Sequence, residues 1–253
     1  MKRLNWKLLL LVLLICLAFA SAAVAVKPVI DGVEKSIEVK QAVEEYRETV
    51  AEIREEAERA ETDEETEEPQ EVIPYAQLYE DMQTYNRELY LCKQKELDCK
   101  SAYEQSQFTL TDYGLPDEKF GIITIPKMDL EMPLFLGASE ANMADGAAVL
   151  SQTSIPLGGV NSNAVIAGHR GCSGYPYFKE IELLEPGDEV IITNLWGTLT
   201  YVVTEIKVIN PNDVNAILIQ RGKDMITLLT CHPYASGGKY RYLVFCERVE
   251  NTG

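Results

Sequence analysis

The sequence predicts a mainly β fold: a closed or nearly closed barrel with short helices, preceded by N-terminal helices and a membrane anchor. Three observations lead there. From Phe120 onward, short apolar runs alternate with Gly, Pro, Asn and Asp, the even spacing of a barrel's strands. Upstream, residues 34–59 and 75–106 carry helix formers with apolar residues at helical spacing. At the start, Lys2, Arg3 and Lys7 precede an apolar run over 8–26.

That first run rises ~1.5 Å per residue as a helix and so approaches the ~30 Å hydrocarbon core of a bilayer. Basic residues ahead of it favour a cytoplasmic N-terminus with the rest exported. The competing reading is a cleavable signal peptide, because Ala18-Phe-Ala-Ser-Ala-Ala-Val-Ala offers small residues for cleavage. Either way, the body is expected outside the cytoplasm; a retained anchor would hold it to the membrane by one pass. Residues 27–74 read as an acidic helical stalk or linker. Val39, Val43, Tyr46, Val50 and Ile53 recur at helical spacing, and 61–68 carries no apolar residue and reads as solvated. Residues 75–112 follow as a helical segment packing on the barrel, with Leu78, Met82, Tyr85, Leu89, Cys92, Leu97 and Tyr103 as its stripe. Cys92 and Cys99 on one continuous helix would stand ~10 Å apart along the axis. That is beyond the ~7 Å Cα limit of a disulfide, so pairing needs a helix break.

Residues 113–253 form the expected barrel domain. Candidate strands are 121–125, 132–136, 164–167, 189–193, 199–208, 225–231 and 242–249, with short helices over 139–145, 177–181 and 213–218. The net charge of −17 argues against nucleic-acid binding, which needs basic surface for phosphates. Most of that imbalance lies between Glu34 and Glu71.

The chemistry concentrates at three strand ends. Met225 to Thr230 is an apolar run after the turn Gly222-Lys223-Asp224, and it delivers Cys231 just before Pro233 ends the strand. After Ser236-Gly237-Gly238 turns the chain, Arg241 opens the next apolar run. An arginine there is suited to hold a thiolate or neutralise an oxyanion. A Cys nucleophile also needs a proton acceptor, and the chain has two histidines, His169 and His232. His232 adjoins Cys231 and should therefore point to the opposite face of the strand. His169 leaves the apolar run Val165-Ile-Ala-Gly-His and is the stronger partner. Cys246 differs in parity from Arg241 and should face away. Cys16 reads as membrane packing and Cys172 as an incidental thiol close to His169. The histidines are far apart and no Cys-x-x-Cys occurs, so neither a metal nor a cofactor is expected.

Ala167-Gly-His-Arg-Gly, Thr230-Cys231 after an apolar strand, and Arg241 in Tyr-Arg-Tyr-Leu-Val together resemble the signature segments of the sortases. These are cysteine transpeptidases of Gram-positive cell surfaces. Phe120-Gly-Ile-Ile-Thr-Ile-Pro-Lys-Met, Pro133-Leu-Phe-Leu-Gly-Ala-Ser and Ser154-Ile-Pro-Leu-Gly-Gly-Val-Asn-Ser extend the resemblance over roughly Phe120 to Val249. Leu-Leu-Thr-Cys-His-Pro-Tyr is most similar to the class C, pilin-polymerising branch. The resemblance implies an eight-stranded barrel, with His169, Cys231 and Arg241 as catalytic residues and no cofactor. Its partners would be LPxTG-bearing surface proteins or pilins and an amine acceptor, either a pilin lysine or a peptidoglycan precursor. Class C members commonly carry an Asp-Pro-aromatic lid; here Thr111-Asp-Tyr-Gly-Leu-Pro stands in about that place, with Tyr113 as its aromatic.

The implied chemistry is acyl transfer through a Cys231 thioester, with cleavage between Thr and Gly of the signal. Arg241 would stabilise the oxyanion, and His169 would protonate the leaving amine and then activate the incoming one. Thr230 would line the acyl site. Housekeeping anchoring to peptidoglycan precursor is the alternative within the family. A cysteine endopeptidase using water, and a barrel that only binds sorting signals, are alternatives outside it.

Overall fold

In this computed structural model, residues 6–63, 73–95, 97, 103–171 and 175–249 are described. Eight strands close into one barrel: β1 (Lys119–Ile125), β2 (Leu130–Leu136), β3 (Ala147–Val149), β4 (Ser162–Ala167), β5 (Glu189–Asn194), β6 (Gly197–Ile209), β7 (Asp224–His232) and β8 (Tyr240–Arg248). Their order around the barrel is β1-β2-β3-β4-β7-β8-β6-β5. Closure leaves no free sheet edge to be managed. β3 is a strand that the sequence reading omits. Three residues are too few for a period to register, and only its neighbours on the sheet identify it.

Alternation divides β4, β7 and β8 between two apolar layers. Ile123, Met132, Ile166, Ile192, Val203, Ile226, Leu228 and Val244 fill the barrel interior. Val165, Ala167, Met225, Leu243 and Phe245 face outward from β4, β7 and β8, and they are covered by Leu97, Leu150 and Ile217. Cys246 lies in the interior layer, where burial raises its thiol pKa far above the ordinary value. Its parity places it there, away from the strand ends discussed below.

Helix α1 (Trp6–Asp63) is one element of 58 residues. Over 34–59 it does not stand away from the barrel as a stalk. Val39, Val43, Tyr46 and Val50 form a buried stripe, and the last three meet Ile122 and Leu195 on the barrel's outer wall. Tyr46 donates its hydroxyl to the carbonyl of Phe120 at 2.7 Å, and Arg54 donates to the carbonyls of Asn194 and Leu195. Ion pairs Lys35–Asp145, Lys119–Glu45 and Arg47–Glu131 line the seam.

The membrane anchor expected over 1–26 is not found. Among the described residues, no helix is long and apolar enough to cross a membrane. The apolar run continues without a break into the acidic, barrel-bound helix. Residues 1–5, and residues 64–72 of the acidic run, lie outside the described residues.

α2 (Ala76–Leu91) buries Leu78, Met82 and Leu89 as the stripe predicts, but it stops fifteen residues before 106. Lys93 and Gln94 take left-handed backbone angles just after it. Gln94 then turns inward, donating to the carbonyl of Gln152 and accepting from the amide of Ile219. Cys92 is a free, exposed thiol at the helix end; Cys99 lies outside the described residues. α3 (Glu140–Asp145) forms where expected, capped by the Ser139 hydroxyl on the Asn142 amide. The helices expected over 177–181 and 213–218 appear as single 3₁₀ turns, Ile181–Leu183 and Val214–Ile217.

Candidate active site

Two strand pairings bring the candidate residues together. β4 and β7 run parallel with Ser162 opposite Asp224 and Ala167 opposite Leu229, a constant offset. Carried two residues further, that offset puts His169 opposite Cys231. The backbone follows it past the strand end: the Gly168 amide donates to the Leu229 carbonyl at 3.1 Å, and the Thr230 hydroxyl donates to the Gly168 carbonyl at 2.6 Å. On the other side, β7 and β8 run antiparallel with Cys231 directly opposite Arg241. Residues opposite one another in a ladder project from the same face. His169, Cys231 and Arg241 therefore occupy neighbouring positions on β4, β7 and β8, on the outward face.

Cys231 is exposed, while Thr230 before it is buried. Thr230 thus ties β7 to the end of β4 from inside the barrel rather than lining an open site. Arg241 is half-buried, with Nη1 donating to the carbonyls of Gly238 at 2.8 Å and Tyr240 at 3.1 Å. Those bonds draw the guanidinium back toward the β7–β8 turn. A β-carbon on Gly238 would stand 3.1 Å from Arg241 Nη1 and 3.3 Å from Cys231 Sγ, so sulfur and guanidinium share the space over that turn. His169 is held from below by Tyr177, whose ring meets the imidazole edge-on at 5.7 Å between centroids. Tyr177 in turn donates its hydroxyl to the carbonyl of Ala144 in the last turn of α3. Gly168 permits this packing because the ring of Phe178 lies where its side chain would be, at 2.6 Å.

The loops that follow β4 and β7 lean on each other. Tyr234 packs near Gly171, and Lys179 lies over the Tyr234 ring at 5.7 Å. Cys172 lies outside the described residues. His232, as its parity predicts, points to the opposite side from Cys231 and meets Glu182 and the ring of Tyr242. Tyr113 sits far from the three candidates. Its hydroxyl donates to Asp81 of α2 at 2.9 Å, and α2 docks through Asn86 on Ile155, ahead of the start of β4. His169 follows the other end of that strand, so the aromatic of 111–116 does not cover Cys231. Sequence reasoning missed Arg170, Tyr177 and Glu182. Arg170 carried a readable signal, because it directly follows His169 and must point to the other face.

A closed eight-stranded barrel that gathers a cysteine, a histidine and an arginine at adjacent strand ends fits the sortases. Residues 123–249, about half of the chain, match the family model of the sortase domain, and the chain belongs to that family. Among curated proteins it is similar to sortase D of Bacillus subtilis, at 28% identity over 51% of this chain and 63% of that protein. It is also similar to sortase A of Bacillus anthracis, at 32% identity over 49% and 57%. The chain thus spans between about half and two thirds of the length of such relatives. Among solved structures, sortase C1 of GBS pilus island 1 matches with a TM-score of 0.69 at 27% identity, covering 83% of this chain and 98% of that one. A Clostridium perfringens sortase C, solved with the C-terminal cell wall sorting motif, matches with a TM-score of 0.63 at 28% identity, covering 83% and 98%.

Proposed function

We propose that this chain is a cysteine transpeptidase of the cell envelope, with Cys231 as nucleophile, His169 as general acid and base, and Arg241 as oxyanion partner. The observation that carries this reading is the register, which sets these three residues side by side on one face of β4, β7 and β8. The catalytic unit is the barrel over 113–253, with α1 and α2 packed against it. Cys231 as thiolate attacks the Thr carbonyl carbon of an LPxTG-like signal, and the electron pair of the C=O moves to oxygen. That oxyanion meets the Arg241 guanidinium, whose charge and fixed donors are worth most where charge develops. The C–N bond to Gly then breaks, and imidazolium at His169 gives its proton to the leaving amine. A thioester remains. An incoming amine attacks it, its proton passes to His169, and the C–S bond breaks to return the thiolate.

The class C structural neighbours support a pilin lysine as the acceptor. Within the same family, a housekeeping role would use a peptidoglycan-precursor amine. The test is to incubate the full chain with an LPxTG peptide and each amine in turn, with Cys231→Ala alongside, and to read products by mass spectrometry. A Cys231-dependent adduct and a new amide bond are expected, with the lysine peptide preferred. Free threonine carboxylate as the sole product, with both amines in excess, would replace this reading with an endopeptidase.

A further inference from the structure

Each of the three candidate residues has a sequence neighbour that points the opposite way, and those neighbours also meet. Arg170 follows His169, His232 follows Cys231, and Tyr242 follows Arg241. Because the ladder holds the first three side by side on the outward face, it holds their neighbours side by side at the inner end of the barrel.

One carboxylate collects them. Glu182, from the turn Ile181–Leu183, lies with Oε1 2.7 Å from Arg170 Nη2 and 3.1 Å from His232 Nδ1. The second contact is not aligned as a hydrogen bond, so it acts through charge and proximity. Tyr242 closes the group, with its ring centroid 5.7 Å from the Arg170 guanidinium carbon and 5.4 Å from the centre of the His232 ring. Arg170 is 7% exposed, and among the described residues its Nε and Nη1 have no hydrogen-bond partner. A buried guanidinium with unfilled donors depends heavily on the one carboxylate that neutralises it. Glu182 is itself half-exposed, which weakens the pair by solvent screening.

We infer that Glu182 is a positioning residue for the proposed reaction: through Arg170 and His232 it fixes, from behind, the strand ends that carry His169 and Cys231. It touches neither substrate nor reacting atoms. Without its charge, the buried Arg170 must move toward water, and His169 is the next residue along the backbone. Relative displacements of about 1 Å between a nucleophile and its base are enough to slow a reaction on the order of a hundredfold. A half-exposed support should cost less.

This inference rests on the transpeptidase reading, and its test separates the two. Glu182→Gln, Arg170→Gln and the double variant are made in the full chain and checked for folding by circular dichroism. Two readouts follow: kcat and KM with the sorting peptide, and the pH profile of Cys231 alkylation by iodoacetamide, which needs no substrate. Glu182→Gln is expected to lower kcat roughly threefold to tenfold, leave KM within about twofold, and displace the alkylation profile. The double variant should be no slower than the slower single one, as for two residues acting as one unit. Unchanged kcat and alkylation in a folded Glu182→Gln protein would overturn the inference, as would independent, multiplying losses in the double variant. If the wild type turns over no sorting peptide with any amine, the transpeptidase reading fails. The alkylation profile then decides the positioning claim alone: a displaced profile upholds it and an unmoved one refutes it.

Discussion

At the scale of single residues, the candidate site is an exercise in parity. Cys231, His169 and Arg241 could be chosen from sequence because each sits where an apolar run meets a turn. His232 could be set aside because adjacent strand residues diverge. What sequence could not supply is the offset between β4 and β7, since parallel strands joined by a long excursion leave no local mark of their register. One constraint on the sulfur comes from a residue that carries no side chain. Gly238 has a φ of +79°, a left-handed angle that costs an L-residue about 1–2 kcal/mol, and its missing β-carbon makes room for Sγ and the guanidinium. Gly238→Ala should therefore lower stability by about 1–2 kcal/mol in urea denaturation and lower kcat/KM at least tenfold by driving Arg241 and Cys231 apart. A variant that is destabilised but fully active would show that the two groups need not share that space during turnover.

Among elements, α1 shows how a correct pattern can be given the wrong partner. The heptad-like recurrence of Val39, Val43, Tyr46 and Val50 is plain in the sequence, but a stripe announces only that something covers it. Acidic composition suggested water; the outer wall of β1, with Ile122 and the neighbouring Leu195, is what covers it. The early end of α2 was hidden for a similar reason, because the partners that Gln94 bonds just past the helix, Gln152 and Ile219, lie far away in the sequence. Burial pushes the Tyr46 hydroxyl's pKa far up, which keeps it a neutral donor to Phe120 at every ordinary pH. Tyr46→Phe should cost about 1 kcal/mol for the lost bond. Tyr46→Ala should cost about 3–5 kcal/mol and loosen the whole helix, because it removes the ring as well. Hydrogen exchange over 35–54 distinguishes the two: broad loss of protection is expected for Ala and little change for Phe. Equal protection in both would mean that the ion pairs along the seam, rather than the apolar stripe, hold α1.

For the whole molecule, the mainly β barrel was legible from the rhythm of runs and turns, whereas its closure was not: β1 meets β5, and β3 is too short to announce itself. The site occupies one end of this barrel, and the other end is gathered by Asp224. Its carboxylate accepts from the Gly159 amide at 2.8 Å and from the hydroxyls of Ser162 and Tyr201, both at 3.3 Å, so β4, β6 and β7 meet there. Arg248 of β8 lies close enough to act on it by charge. Burial outweighs these contacts and holds the Asp224 carboxyl above its ordinary range. Between the unfolded value of ~3.9 and the raised folded value, the folded chain binds more protons than the unfolded one. Stability from this group therefore falls as pH rises through that interval, the reverse of a salt-bridged aspartate. Asp224→Asn removes the titration and leaves a single acceptor oxygen, which cannot serve the Gly159 amide and the two hydroxyls together, so the variant should be less stable at both pH values. The gap between wild type and variant, read from urea unfolding at pH 4 and pH 7, should be smaller at pH 7. Effects of the other carboxylates are common to both proteins and cancel in that difference. A gap that widens toward pH 7 would mean that Arg248 and the three donors outweigh burial, making this end of the barrel an ion-paired clamp.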